Sequence, residues 1–334
     1  MTLADDEHRG LICYTTGIDT KLISILIPAY NEEESLSMLF DRLWELSHST
    51  TPGAAHENYR LEFVFVDDGS TDNTVPMIRD FTAAADGFDV RYFSLSRNFG
   101  KEIAMAAALD KAQGDAVLFI DADLQDPPEL VWEMLKYWEH GFDDVYARRS
   151  SRKGETWLKK TTSKLYYRLL QSVAKVEIQI DTGDFRLLDR KCVDAMKLIH
   201  EEERNTKALF SWIGYNKKEI LYKRDERSAG KTKWNYFKLI SLAINGITSY
   251  TTSPLRLATI LGVVFSFASF VYIVYILIKN IFFGIDLHGY PSTMAVILFF
   301  GGVQLLVLGV IGEYVGKIFI ETKNRPLYLI KEEG

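Results

Sequence analysis

The stretch Ala116-Val117-Leu118-Phe119-Ile120-Asp121-Ala122-Asp123-Leu124-Gln125-Asp126-Pro127-Pro128 decides how the chain reads. Five apolar residues without polar alternation predict a strand buried on both faces. The run stops at two carboxylates, Asp121 and Asp123, in a short extended segment. Pro127 and Pro128 suit the start of a helix, expected over 129–138. The same grammar recurs upstream. An Ile-rich run at 22–27 stops at Pro28, and a helical stripe of Leu36, Leu39, Phe40, Leu43 and Leu46 follows the acidic residues 32–34. A second strand over 61–66 ends at Asp67-Asp68-Gly69-Ser70, with Ser70 or Thr71 as cap of a helix to about residue 85. A third strand is expected over 90–94, then a turn at 98–100 and an Ala-rich helix over 101–111 that Gly114 ends. A further short strand is expected over 144–147. Strands alternating with helices, with carboxylates just past strand ends, predict a doubly wound α/β domain with a mostly parallel sheet. Its ligand crevice should lie at the carboxyl edge. No GxGxxG follows Ile27 and no GxxxxGK[ST] occurs, which argues against hydride transfer and P-loop ATP hydrolysis.

Composition sets outer bounds. The 334 residues carry 39 Lys plus Arg against 45 Asp plus Glu, a net charge of −6, with 47% hydrophobic and 25% charged residues. Such a chain is neither generally disordered nor collagen-like. The negative balance argues against nucleic acid as a partner. Two Cys, Cys13 and Cys192, exclude a disulfide scaffold and read as free thiols.

The apolar residues are concentrated. Residues 257–278 and 290–312 contain no Asp, Glu, Lys or Arg. Each stretch exceeds the roughly 20 helical residues that cross a hydrocarbon core, and without ionisable groups the pair reads as an anchor rather than a transport path. Lys231, Lys233, Lys238 and Arg256 precede the first, and Lys317, Lys323, Arg325 and Lys331 follow the second. The loop between holds one Lys, one Asp and one His. This asymmetry places both termini in the cytoplasm and makes the chain a multi-pass plasma-membrane protein. No signal peptide is expected, because the apolar run at 11–14 is too short. The expected organisation is a tail at 1–20 and a cytoplasmic catalytic domain at 21–228 that includes an amphipathic segment at 155–172. A juxtamembrane amphipathic helix at 229–256, spans at 257–283 and 290–316 around a short external loop at 284–289, and a cytoplasmic tail at 317–334 complete it. The basic, aromatic-rich segments suit an anionic lipid interface. Small residues in the second span also fit packing against another copy, a homo-oligomer.

The carboxylates suggest the chemistry. Asp121 and Asp123, with the neutral oxygen of Gln125, suit a hard divalent cation such as Mg²⁺ or Mn²⁺ shared with substrate phosphates. Asp67 and Asp68 suit a base N–H or ribose hydroxyls, Pro28 and Tyr30 could frame a base, and Lys101 suits a phosphate or a sugar hydroxyl.

Ile27-Pro28-Ala29-Tyr30-Asn31-Glu32 and Val66-Asp67-Asp68-Gly69-Ser70-Thr71-Asp72 resemble the family 2 glycosyltransferases with the GT-A fold. Ser96-Arg97-Asn98-Phe99-Gly100-Lys101, the stretch 121–129 and Asp181-Thr182-Gly183-Asp184-Phe185-Arg186-Leu187 narrow the resemblance. They are similar to the polyprenyl-phosphate branch, which includes dolichol-phosphate mannose synthases and bacterial bactoprenol glucosyltransferases. The likeness spans about residues 22 to 316, and the two C-terminal spans match the bacterial glucosyltransferase subgroup. It implies that Pro28, Tyr30, Glu32, Asp67 and Asp68 hold the nucleoside and that Asp121, Asp123 and Gln125 surround the metal. It also makes Arg149, Arg152 and Arg186 candidates for the lipid-phosphate site, with Asp184 orienting Arg186 or the sugar. Ala147 stands where the family usually has Gly. The implied reaction moves a hexose, glucose from UDP-glucose by subgroup similarity, onto a polyprenyl (undecaprenyl) phosphate with inversion. UDP-N-acetylglucosamine or GDP-mannose as donor, a polysaccharide-forming transferase and a non-catalytic nucleotide-sugar-binding scaffold remain alternatives. A phosphate acceptor is largely dianionic at neutral pH, so no strong general base is required.

Overall fold

The computed structural model describes residues 20–51, 56–85, 88–149, 182–202, 204–222, 253–283 and 289–334. Arg152, the segment at 155–172, the juxtamembrane stretch up to residue 252, the loop at 284–288 and the first 19 residues lie outside them.

Strand β1 (Lys21–Ala29) leads to helix α1 (Glu33–His48), β2 (Tyr59–Asp67) to α2 (Thr74–Ala84), and β3 (Asp89–Leu95) to α3 (Lys101–Lys111). Then come β4 (Ala116–Phe119), a 3₁₀ turn (Pro128–Leu130), α4 (Val131–Glu139) and β5 (Asp144–Arg149). After the undescribed segment follow β6 (Thr182–Asp189), α5 (Arg190–Lys197), α6 (Thr206–Trp212) and β7 (Lys217–Tyr222). Two long helices, α7 (Ser253–Phe283) and α8 (Tyr290–Thr322), precede a last strand, β8 (Ile330–Glu333).

The strands form one eight-stranded sheet in the order β7-β5-β6-β4-β1-β2-β3-β8. Its middle, β3-β2-β1-β4, is parallel, as the apolar runs predict. β6 pairs antiparallel with both β4 and β5, and β8 pairs antiparallel with β3, so the sheet is mixed. Alternate residues of each central strand serve different layers. Ile23, Ile25 and Ile27 of β1 pack with Leu36, Leu39 and Leu43 of α1, while Leu26 packs with Ala104, Met105 and Ala108 of α3. Phe63 and Phe65 of β2 join the first layer, and Val64 and Val66 the second. Both faces are therefore covered, which explains why these strands lack polar alternation.

Three local expectations change. Ser70 and Thr71 do not cap α2. Its N-cap position is Asn73, and Asp72 accepts the Thr74 N–H at 3.0 Å. Ser70 and Thr71 instead bind Asn31 across the turn, at 2.9 Å each. Residues 330–333, expected within the cytoplasmic tail at 317–334, form β8. Helices α7 and α8 run beyond the uncharged stretches, and Pro254–Tyr275 and Val296–Thr322 are long and apolar enough to cross a membrane. None of either stretch is buried inside the protein, so neither is a core helix of a soluble domain.

Candidate active site

Strands β1 and β4 are parallel neighbours, with Leu26 opposite Phe119, so their carboxyl ends open at the same edge. A cleft of about 250 Å³ lies there, lined by Pro28, Tyr30, Glu32, Asp68, Lys101, Asp121 and Asp123, with Asn98 and Gly100. Seven of the residues singled out from sequence thus meet in one place, on four different segments.

The loops around the cleft are tied to each other. Asp68 is 3% exposed, and its two oxygens accept the N–H groups of Phe99 at 2.7 Å and Gly100 at 2.8 Å. Burial pushes its carboxyl above the ordinary value, only partly offset by those two amides. Asp67, 2% exposed, accepts Ser94 Oγ at 2.7 Å and Ser70 N–H at 3.0 Å. The structure thus gives Asp67 a place beneath the cleft, holding the 67–70 turn, rather than on its lining. Gly69 has φ +70°, and a Cβ there would stand 2.5 Å from the Arg97 carbonyl carbon. Only glycine lets these two loops meet so closely.

Lys101 opens α3 and reaches across the cleft. Its Nζ lies 2.7 Å from Asp121 Oδ1 and 2.7 Å from Asp184 Oδ2. The register explains this junction: Phe119 faces Arg186 across the antiparallel β4–β6 pair, so two residues further on Asp121 meets Asp184. The Lys101 side chain is 46% exposed, but its ammonium end sits between the carboxylates. Burial opposes its charge, yet Asp121 and then Asp184 outweigh burial and hold the ammonium above its ordinary range. Burial likewise opposes the charge of Asp184, yet Lys101 and Lys207 hold its carboxyl below the ordinary value. Lys207 Nζ lies 3.9 Å from Asp184 Oδ1, and its helix α6 is anchored to α3 because Glu102 accepts the Thr206 N–H at 2.8 Å.

Past β4, Leu124 takes φ +58° and the Gln125 N–H donates to Asp123 Oδ1 at 3.2 Å. This tight turn follows the Asp121–Asp123 pair. Asp121 and Asp123 line the cleft and are chemically ligands for a hard divalent ion, whereas Gln125, 6% exposed, is not among the lining residues. Among the described residues no three His, Cys, Asp or Glu are grouped to hold a metal. The residues therefore fit an ion that takes most of its ligands from substrate phosphates and water rather than a closed protein cage.

Arg149 ends β5 at the same edge, opposite Tyr222 of β7 in the ladder. Tyr222 donates a hydrogen bond to Asp126 of the loop after β4, and the Arg149 charge acts on the same phenol. Burial and the Asp126 charge push the phenol well above its ordinary value, so it stays protonated. Arg186, expected at the lipid phosphate, is corrected. It is 0% exposed, pairs with Asp144 at 3.0 Å and stacks 3.9 Å over the Phe210 ring. A guanidinium enclosed in this way holds β5 and β6 together and has no surface to offer a headgroup. Sequence reasoning also missed Lys207, Glu102 and Tyr222. Each acts on a residue remote in the chain, and no local pattern marks it.

A mixed α/β/α sheet with a loop-lined cleft and a paired-carboxylate turn at its carboxyl edge is the architecture of the GT-A fold. The chain belongs to glycosyl transferase family 2, whose pattern matches residues 24–196, and residues 253–318 match the GtrB C-terminal hairpin. It is 47% identical to an uncharacterized glycosyltransferase of Synechocystis over 310 residues, covering 93% of this chain and 95% of that protein. It is 42% identical to the bactoprenol glucosyl transferase of Shigella phage SfV over 311 residues, 93% of this chain and 98% of the relative. Among solved structures, glucosyl-3-phosphoglycerate synthase of Mycobacterium tuberculosis, determined with Mn²⁺, UDP-glucose and phosphoglyceric acid, is 18% identical. It covers 68% of this chain and 78% of its own, with a TM-score of 0.44.

Proposed function

We propose that the protein transfers a glucosyl unit from UDP-glucose to the phosphate of a polyprenyl phosphate, with inversion, at the cytoplasmic face of the plasma membrane. The observation that carries this reading is the placement of the Asp121–Asp123 cleft in a chain whose apolar hairpin returns to the same sheet through β8. The likeness to the phage bactoprenol glucosyl transferase supports both the sugar and the acceptor. A lipid acceptor cannot readily leave the bilayer, so the soluble donor has to be brought to it.

In this reading Pro28, Tyr30 and Glu32 frame the nucleoside, and Asp68 fixes the loop that closes over it. Asp121, Asp123 and Gln125 would hold Mg²⁺ or Mn²⁺, which when bound supplies positive charge to the leaving diphosphate. Lys101 adds a second positive charge at the donor phosphates, and Asp184 steers that ammonium. Arg149 takes the acceptor phosphate, whose oxygens match a planar guanidinium fork. With a second phosphate pKa of about 6, the acceptor is already nucleophilic at neutral pH. The residues then contribute alignment and electrostatic relief rather than proton abstraction.

Sidedness follows from pairing. β8 lies beside β3, so the end of α8 and the catalytic sheet share one side, and two crossings between them satisfy that condition. The Lys and Arg flanking both helices support the cytoplasm as that side.

The test is a donor screen with purified full-length protein and undecaprenyl phosphate, with Mg²⁺, Mn²⁺ or a chelator. UDP-glucose should give a β-linked lipid-phosphate glucose, and chelation should abolish it. Preference for another nucleotide sugar would overturn the donor assignment, and full activity in chelator would overturn the metal assignment.

A further inference from the structure

Tyr222 and Asp126 have no part in the chemistry above, yet they join two of its sites. The Tyr222 ring is 5% exposed and packs edge-on against Phe185, with centroids 5.7 Å apart and planes at 70°. Its hydroxyl is thereby fixed in position. It donates to Asp126, which is 3% exposed and follows Gln125 in the loop carrying Asp121 and Asp123. Arg149 is the cross-strand neighbour of Tyr222 in the ladder, and the guanidinium charge acts on the same phenol. The Nε of Arg149 is buried and makes no hydrogen bond, and the Gly183 backbone packs beside Nη2, where a Cβ would stand 3.8 Å away.

A phenol held between a carboxylate and a guanidinium has its orientation set by both. The carboxylate takes the phenol's proton in a charge-assisted bond, and the guanidinium stands beside the phenol as its ladder partner. We propose that Tyr222 is a positioning residue, holding the Arg149 guanidinium in fixed register with the metal-binding loop so that acceptor phosphate and donor diphosphate meet in one geometry. This deepens the proposed function and rests on its reading of Arg149 as the acceptor-phosphate group.

The experiment compares wild type, Tyr222→Phe, Arg149→Ala and the double variant, each as full-length protein. Undecaprenyl phosphate and the donor selected by the screen are varied in turn. Tyr222→Phe keeps the ring and its packing on Phe185. It should raise the acceptor KM about tenfold, the scale of one lost hydrogen bond to a charged group. It should leave the donor KM and the melting temperature at their wild-type values. The double variant should be no worse than Arg149→Ala alone, because both changes disable one unit. An unchanged acceptor KM in Tyr222→Phe, losses that multiply in the double variant, or a lowered melting temperature with both KM values altered would overturn the positioning role. If Arg149→Ala itself leaves acceptor saturation unchanged, the reading of Arg149 fails first and the positioning role falls with it.

Discussion

At the residue scale, Arg186 separates packing from recognition. Its chemistry suits a phosphate, but Asp144 occupies the guanidinium and Phe210 covers it, both at 0% exposure. Removing one member of a buried pair strands the other. Arg186→Ala should therefore cost about 3–5 kcal/mol of stability in denaturant unfolding, with the acceptor KM of the surviving folded fraction unchanged. A stable variant with a raised acceptor KM would restore the phosphate role. Asp184 makes a different prediction. Its folded-state value lies below the ordinary 3.8, so its pairing with Lys101 stabilises the fold fully above that value and the contribution is lost as pH falls through the depressed one. Wild type should exceed Asp184→Asn in stability at neutral pH, and the gap should close only below pH 3.8; a gap independent of pH would contradict the pairing. Asp121 and Asp123 were legible from sequence because an unbroken apolar run ends at them. Arg186 was not, because its partner is 42 positions away and no local signal marks that distance.

At the element scale, the parallel half of the sheet is written in the chain. Its strands are apolar runs closed by Pro28, by Asp67 and by Asp121, and α3 occupies the expected Lys101–Lys111. The antiparallel additions were hidden. β6 carries a buried Arg at its centre, and β8, Ile-Lys-Glu-Glu, has no apolar pattern at all. β8 is a strand only because β3 offers an edge, with Arg79 and Tyr92 binding Glu332 from β3 and the neighbouring helix α2. The loop after β2 is more demanding. Gly69→Ala would put a non-glycine residue at φ +70° and a methyl against the Arg97 backbone. Backbone strain alone is worth about 1–3 kcal/mol, so the variant should unfold at lower denaturant and lose donor affinity, since the neighbouring Asp68 ties this loop to the Phe99–Gly100 loop. Wild-type stability would show that the loops separate freely.

At the scale of the whole molecule, the cleft and the apolar helix pair are tied together, because β8, which follows the pair, joins the sheet that carries the cleft. Phe267, Phe270, Leu305 and Leu306 are exposed among the described residues, and under the proposed function a bilayer would cover them. Single cysteines introduced at Ser49, in the catalytic domain, and at Lys323, just past α8, should label from the same side of sealed vesicles when Cys13 and Cys192 are replaced by Ser. Labelling from opposite sides would break the β8 connection on which sidedness depends. The most direct measurement of the central claim is glucosyl transfer from radiolabelled UDP-glucose to undecaprenyl phosphate by wild type and by Asp123→Ala in the same bilayer. Labelled lipid formed by wild type, and its loss in Asp123→Ala at unchanged folding, is the result expected. Equal label from the two proteins would contradict a reaction centred on the Asp121–Asp123 cleft.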